Sequence, residues 1–342
     1  MRRRAGPMLA PLAAVAALLA SCAGSTSLPS EVTAQQIAQE PGDPTVTTVV
    51  PTRECTPEEE ARATATYPAL DELPEPMEMP AGTKMREIQD EGRLVVGVSG
   101  DTLLFGSRNP FTTELEGFDI DILKEVAKAI FGEGGEERIE YRVITYADRL
   151  PSLEAREVDI VAHTMTITCT RWQRIAFSSV YFLSAQKMLV QEGSGYDSVA
   201  DLAAAGATVC APEGSTNIEL VRSDDPRFVG MEVLGKPDIS DCLVAMQQGE
   251  ADATTGDDTV LAGFAAQDPN TEVLVDEALS AEPYGLGMNE DDVELVRFVN
   301  AVLEEIRANG RYDEIVQRWL VDTGALPSIE AVPEPDESRP LP

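Results

Sequence analysis

The chain has 342 residues, 43% of them hydrophobic and 25% charged, which is enough ordinary globular sequence to bury the cores of two domains. Its 60 acidic side chains outnumber the 26 lysines and arginines, for a formal charge of −34. So negative a surface repels polyanions and anionic bilayers, which argues against nucleic acid as a partner. Any anionic ligand would have to be held by locally placed cations.

The first elements are an address. Arg2–Arg4, the apolar run Met8–Ala20 and the small residues before Cys22 have the order of an export signal, residues 1–21. That run would make a helix of about 20 Å, short of the roughly 30 Å hydrocarbon core, so no permanent span is expected. Leu19-Ala20-Ser21-Cys22 resembles a bacterial lipobox, which implies a lipid anchor on Cys22 and residence on the outer face of the cell membrane. Residues 22–80, rich in Pro, Thr, Ser and Glu without an apolar period, read as a flexible tether. One ordered turn is expected at Thr56-Pro57, where a cap, a helix-starting proline and Glu58–Glu60 occur together.

From residue 94 strands and helices alternate. Leu94–Val98 reads as a strand and Phe118–Phe131 as an amphipathic helix with apolar residues at 118, 122, 123, 126, 127 and 130. Strands follow near Ile139–Val143, Val158–Ala162 and Lys187–Val190, with a helix near Leu150–Ala155. A second series has strands at Thr208–Ala211, Met231–Leu234, Ala251–Thr255 and Glu272–Val275, and helices near Asn217–Val221 and Asp241–Gln248. Tyr284–Met288 reads as a strand, Asp292–Trp319 as two helices broken at Asn309-Gly310, and residues 326–342 as a proline-rich disordered tail. The whole is α/β in pattern.

Val158–Arg171, VDIVAHTMTITCTR, is the most informative stretch. Its continuous apolar start suits a parallel strand covered on both faces, and ligands of open α/β sheets collect beyond the carboxyl ends of such strands. Thr164, Thr166 and Arg171 fall there. A guanidinium grips a carboxylate through two parallel hydrogen bonds, and hydroxyls and free N–H groups take the remaining lone pairs. Alternatively, the segment is a surface turn with a solvated arginine.

Setting Cys22 aside, four cysteines remain in an exported chain, an even count that suggests two disulfides. Sequence does not fix the pairing. Cys210–Cys242, a strand end tied to a nearby helix, and Cys55–Cys169, pinning the N-terminal extension beside the 166–171 loop, are preferred. With one histidine and no close cysteine pair, no metal site is expected. Neither a nucleophile elbow, a zinc-protease helix nor a P-loop occurs, so the chain reads as a binder without a cofactor rather than an enzyme.

Several segments together resemble the family 3 extracellular solute-binding proteins, the amino-acid receptors of bacterial ABC importers. They are Gly117-Phe118-Asp119, Val158-Asp159-Ile160, Thr166-Ile167-Thr168 to Arg171, Phe177-Ser178, Gly214-Ser215-Thr216, Ala251-Asp252-Ala253, Asp257-Asp258 and Asn309-Gly310 before Trp319. The resemblance spans about residues 92 to 322 and implies a two-lobe periplasmic-binding-protein fold of type II. Each lobe would be a mostly parallel sheet flanked by helices: lobe one 81–185 with 279–325, lobe two 186–278, and two crossover strands as the hinge. Arg171 would clamp the ligand's α-carboxylate, assisted by Thr166, Ser215 or Thr216 and the Gly214 turn. Asp257 would receive the α-ammonium, with a carbonyl from Thr164. Arg149, before Leu150-Pro151, would take a second carboxylate, with Arg108 in reserve. This makes glutamate or aspartate the expected ligand, and glutamine or asparagine the alternative. Phe105 and Tyr146 would pack on its methylenes, and His163 would line the pocket. Asp119 and Asp121 read as helix caps, while Glu213 would repel an acidic ligand if it pointed inward. The implied protein is a monomer that presents its amino acid to a membrane permease of an ABC importer. The same module could instead feed a membrane sensor, or more remotely act as a small-acid lyase.

Overall fold

The computed structural model describes residues 53–274, 278–322 and 332–342. The export segment, Cys22 and the first thirty residues or so of the expected tether lie outside them.

The first sheet grows from Leu94–Val98, whose five residues are all buried. It pairs in parallel with Ile139–Val143 on one side and Ile160–Ala162 on the other, as unbroken apolar runs do when both faces are covered. The helix Phe118–Phe131 covers one face with the apolar residues its spacing predicts, and Val293–Ala308 packs in the same core. Beyond Ile160–Ala162 the pairing turns antiparallel, through Gly287–Asn289 to Ile175–Phe177. Only Gly287–Asn289 therefore runs against the other four strands, and the sheet is mostly parallel. The cause is connectivity: Gly287–Asn289 is reached from the second lobe and so enters running the opposite way.

The second sheet runs in the order Glu232–Lys236, Thr208–Pro212, Ala253–Asp257, Phe182–Gln191, Thr271–Val273, and is likewise parallel at one side and antiparallel at the other. Phe182–Gln191 starts five residues earlier than its apolar core suggests. Its first half pairs antiparallel with Ala281–Tyr284, and these two strands carry the chain between the sheets. Helices Val199–Ala205 and Asp258–Gln267, absent from the sequence reading, flank the second sheet. Among the described residues no helix is long and apolar enough to cross a membrane.

Two expectations fail at the ends of the chain. Residues 53–80 are not a free tether, and residues 332–342 are not a free tail; each packs on the first lobe and on the other. Thr56 caps the expected turn in a full capping box with Glu59. Thr66 is buried, donates to the Phe177 carbonyl at 2.8 Å, and pairs through its backbone with Asp336 and Arg339. The Arg339 guanidinium lies 3.5 Å from the centre of the Trp172 ring, and the Trp172 indole donates to the Ala63 carbonyl at 2.8 Å. Proline excludes regular ladders, but it also leaves little entropy to lose on docking an extended segment.

Cys55 is joined to Cys169 and Cys210 to Cys242, with Cα atoms 6.3 and 5.4 Å apart. The first bridge closes a loop of 114 residues and fastens the N-terminal segment two positions before Arg171. Replacing Cys55 and Cys169 by serine is expected to lower the unfolding free energy by about 2 to 4 kcal/mol, read by urea denaturation under non-reducing conditions. An unchanged midpoint would show that the segment is held by its packing alone.

Candidate functional site

Beyond Ile160–Ala162 the chain enters the Thr164–Arg171 loop through a turn that threonine rarely adopts, with Thr164 at φ 41°. Asp119 holds this turn. One of its oxygens accepts the Thr164 N–H at 2.9 Å, and the other accepts the Tyr181 hydroxyl at 2.7 Å. Asp119 is thus a brace for the loop rather than the helix cap its position suggested; the helix begins at Gly117 without a side-chain cap. Burial, against those two hydrogen bonds, lifts its carboxyl to about 6. Asp121 is no cap either, since it accepts from Lys124, Arg318 and the Trp319 indole.

Two guanidinium groups converge at the junction of the lobes. Arg171, 5% exposed, donates to the Thr166 carbonyl at 2.6 Å and across the junction to the Gly214 carbonyl at 3.2 Å. Arg149, 1% exposed, donates to the carbonyls of Tyr146 at 3.0 Å, His163 at 3.1 Å and the same Gly214 at 3.0 Å. Its guanidinium also lies 4.6 Å from the centre of the Tyr146 ring. Burial, and then the Arg171 charge, press Arg149 below its ordinary value, yet an arginine keeps its proton at neutral pH. The −34 chain therefore concentrates positive charge at one buried point. A cavity of about 160 Å³ opens beside it, bordered by Tyr146, Leu150, Arg171, Arg174, Gly214 and Glu219. Gly214 has φ 79°, and a Cβ there would stand 2.7 Å from the Ala147 Cα, so only glycine permits this approach of the lobes.

The second lobe and the hinge supply the acids. Asp257, buried at the end of Ala253–Asp257, accepts from the Asn217 amide at 2.8 Å and the Tyr284 hydroxyl at 2.5 Å. Burial first, and then the charge of Glu282, raise its carboxyl well above the ordinary carboxylate range. Glu282, on the return crossover, accepts the Thr166 hydroxyl at 2.6 Å and the Thr216 hydroxyl at 2.8 Å. Glu282, Tyr284 and Asn217 escaped the sequence reading. A signal existed: Glu282 and Tyr284 stand two apart, on one face of a short strand, where a charge is out of place.

The structure brings Arg149, Thr166, Arg171, Gly214 and Thr216 together, with Asp257 reached through Asn217 and Thr164 at the turn that opens the loop, and gives the other candidates different roles. Arg108 is exposed and donates to the Thr113 carbonyl at 2.6 Å within its own loop. Ser215 is committed to capping, accepting the Ile218 N–H at 3.2 Å and donating to the Pro212 carbonyl at 2.7 Å. Phe105 is fully buried among Phe118, Phe182 and Tyr284. His163 is also buried, edge-on to Tyr146 at 4.6 Å with Nε2 3.2 Å from the Ile144 carbonyl. Burial and the Arg149 charge drive its imidazole far below the usual histidine range, so it stays neutral and senses no physiological pH change. Glu213 turns outward and pairs with Arg222 at 2.6 Å, which removes it as a source of repulsion.

Similar sequences and folds occur in known proteins. The sequence pattern of the bacterial extracellular solute-binding proteins, family 3, matches residues 94–322. The glutamine-binding protein of Geobacillus stearothermophilus is 43% identical over 211 residues, 61% of this chain and 78% of its own. The ABC transporter glutamine-binding protein of Bacillus subtilis is 37% identical over 238 residues, 70% of this chain and 85% of its own. A glutamate-binding protein of Corynebacterium efficiens is 30% identical over 240 residues, 68% and 79% of the two chains. Among solved structures, an ancestral arginine-binding protein bound to glutamine superposes with a TM-score of 0.60 at 29% identity, covering 67% of this chain and 98% of its own. A mutant of the T. maritima protein ArgBP gives 0.62 at 30% identity, covering 69% and 99%. On the match over residues 94–322 and on these relatives, the chain belongs to the bacterial extracellular solute-binding proteins, family 3.

Proposed function

We propose that this protein is an extracytoplasmic receptor that closes its two lobes on a free α-amino acid and presents it to an ABC importer. The observation that carries the reading is the meeting, at one lobe junction, of two buried guanidinium groups with the buried carboxylate of Asp257. An α-amino acid offers the complementary pair, an anion for Arg171 and an ammonium for Asp257. Lobe closure is the two-state element, and the ligand shifts it by binding the closed form better.

For the side chain, glutamine is the better fit and glutamate the second reading. Arg149 commits three of its five N–H groups to backbone carbonyls on both sides of the junction, which favours a brace for the junction over a receptor for a second carboxylate. Asp257 and Glu282 are buried acids nearby, which makes the junction a poor place for a second carboxylate. The relatives named for glutamine, at 43% and 37% identity, stand above the one named for glutamate at 30%. What favours glutamate is the surplus of cations, two arginines where one carboxylate needs one.

Calorimetry with each of the twenty common amino acids tests the proposal: glutamine is expected to bind tightest, and absence of heat from all of them would overturn it. Binding should also strengthen with rising pH. Ligand-free Asp257 has its carboxyl raised by burial and Glu282, and an incoming ammonium favours the ionised form, so binding expels a proton over the range where the free carboxyl still holds one. Affinity is therefore expected to rise between about pH 5 and 8, with binding heats that depend on the buffer's ionisation enthalpy. Buffer-independent heats across that range would remove Asp257 as the ammonium partner. Pull-down of membrane proteins with and without ligand separates a permease from a sensor as recipient, and mass spectrometry of the processed chain tests the anchor at Cys22.

A further inference from the structure

The turn that carries Arg171 is gripped on its other side by the two ends of the chain. Two positions before Arg171, Cys169 is bridged to Cys55. One position after it, Trp172 donates its indole N–H to the Ala63 carbonyl at 2.8 Å and carries the Arg339 guanidinium 3.5 Å from its ring centre. At the next position the Gln173 amide pairs with the Arg53 backbone in both directions, accepting its N–H at 3.0 Å and donating to its carbonyl at 3.0 Å. Arg171 itself borders the junction cavity, whereas Cys169, Trp172 and Gln173 border a separate one of about 370 Å³ shared with Arg53, Arg62 and Arg339. Cys55, Arg53 and Arg339 all lie outside residues 94–322, the part that matches the family.

These contacts bear on Arg171 because it is rooted in the same turn. Its backbone N–H is held by the Thr168 hydroxyl at 3.2 Å and its side chain by the Thr166 carbonyl at 2.6 Å, so a shift of residues 168–173 moves the guanidinium with them. Two parallel hydrogen bonds to a carboxylate require that planar fork to be aimed. The grip is also a weakly held element. Pro57–Glu60 buries no residue, and the segment is kept in place by one bridge and by polar contacts around an unfilled space. Elements of this kind open locally at little cost, which gives them a docked and an undocked arrangement.

We propose that the two terminal segments form a clasp that positions Arg171, with Arg53, Cys55 and Arg339 as its positioning residues, so that clasp closure and amino-acid binding are coupled. The inference rests on the reading of Arg171 as the α-carboxylate clamp and deepens it by naming what regulates that site. Because every α-amino acid has that carboxylate, the clasp changes affinity without changing selectivity. Linkage makes the effect reciprocal: a bound amino acid tightens the clasp by the factor by which the clasp tightens binding.

The test is calorimetry on the whole protein with glutamine and with glutamate, for wild type and for Cys55→Ser, which leaves the Cys169 side chain in the turn. At a temperature where circular dichroism shows the variant fully folded, both dissociation constants are expected to rise by about tenfold, within the usual range of coupling between sites, and their ratio to stay fixed. A purely structural bridge would lower the melting temperature and leave both constants unchanged, and that result overturns the proposal, as does a rise for one amino acid alone. Should Cys55→Ser lose its cooperative thermal transition, Arg339→Gln takes its place; it keeps the bridge but gives up the contact with the Trp172 ring, and both constants are expected to rise by about threefold. Unchanged constants overturn the proposal there too. The reciprocal effect is read on wild type by hydrogen exchange at the Thr66 amide, which is bonded to the Asp336 carbonyl at 2.8 Å and so reports the closed clasp. Saturating glutamine is expected to slow that exchange by about tenfold, and an unaltered rate overturns the proposal. The two levels fail differently. If wild type binds neither amino acid, the receptor reading fails and the clasp falls with it; if wild type binds and neither the constants nor the exchange rate respond, only the clasp does.

Discussion

Alanine at position 171 is expected to weaken amino-acid binding by about 2 to 5 kcal/mol, or roughly thirtyfold to several thousandfold. The guanidinium is 5% exposed and has two N–H groups fixed on the Thr166 and Gly214 carbonyls, which aims the planar fork before a ligand arrives. Truncation leaves the ligand's carboxylate buried without its partner and also removes a bond between the lobes. Arg171→Lys keeps the charge but not the fork, so it should recover only part of the loss. Calorimetry with the tightest-binding amino acid reads both variants. Tight binding by Arg171→Ala would take the carboxylate clamp away from this residue.

Methionine at position 149 is expected to cost about 3 to 6 kcal/mol of folding stability, measured by urea denaturation. Arg149 is a fully buried side chain bonded to the Tyr146 and His163 carbonyls of its own lobe and stacked on the Tyr146 ring. Each carbonyl left unsatisfied costs about 1 to 3 kcal/mol, and the cation–ring contact is lost with them. Because the third bond reaches Gly214 across the junction, affinity should drop for every amino acid alike. A loss confined to glutamate and aspartate would return Arg149 to the role its sequence position suggested, that of receiving a second carboxylate.

The contrast between these arginines shows what was legible before the fold was known. Strands that are apolar throughout, such as Leu94–Val98, and helices with a clear period, such as Phe118–Phe131, announce themselves because burial alone dictates their residues. The placement of Arg171 at the lobe junction was legible for a similar reason, since a strand ending in hydroxyls and a cation is a local pattern. The role of Arg149 was not local: which acceptors meet a guanidinium depends on carbonyls at 146, 163 and 214, which no spacing relates. Glu282 was missed because its partners are distributed over Thr166, Thr216 and Ser280. Ser215 was over-read: a serine before a helix is first of all a cap, and here it is one. The terminal segments were misjudged because composition reports the absence of regular structure, whereas docking of residues 53–80 and 332–342 depends on a bridge to Cys169, the ring of Trp172 and the backbone of Thr66.

The central claim is that the lobe junction recognises both charged ends of a free amino acid through Arg171 and Asp257. It is tested most directly by comparing, on the same protein and by the same calorimetry, the tightest-binding amino acid with its carboxamide and with its N-acetyl derivative. The account predicts that removing either the α-carboxylate charge or the α-ammonium charge abolishes measurable binding. Retention of the parent affinity by either derivative would contradict it.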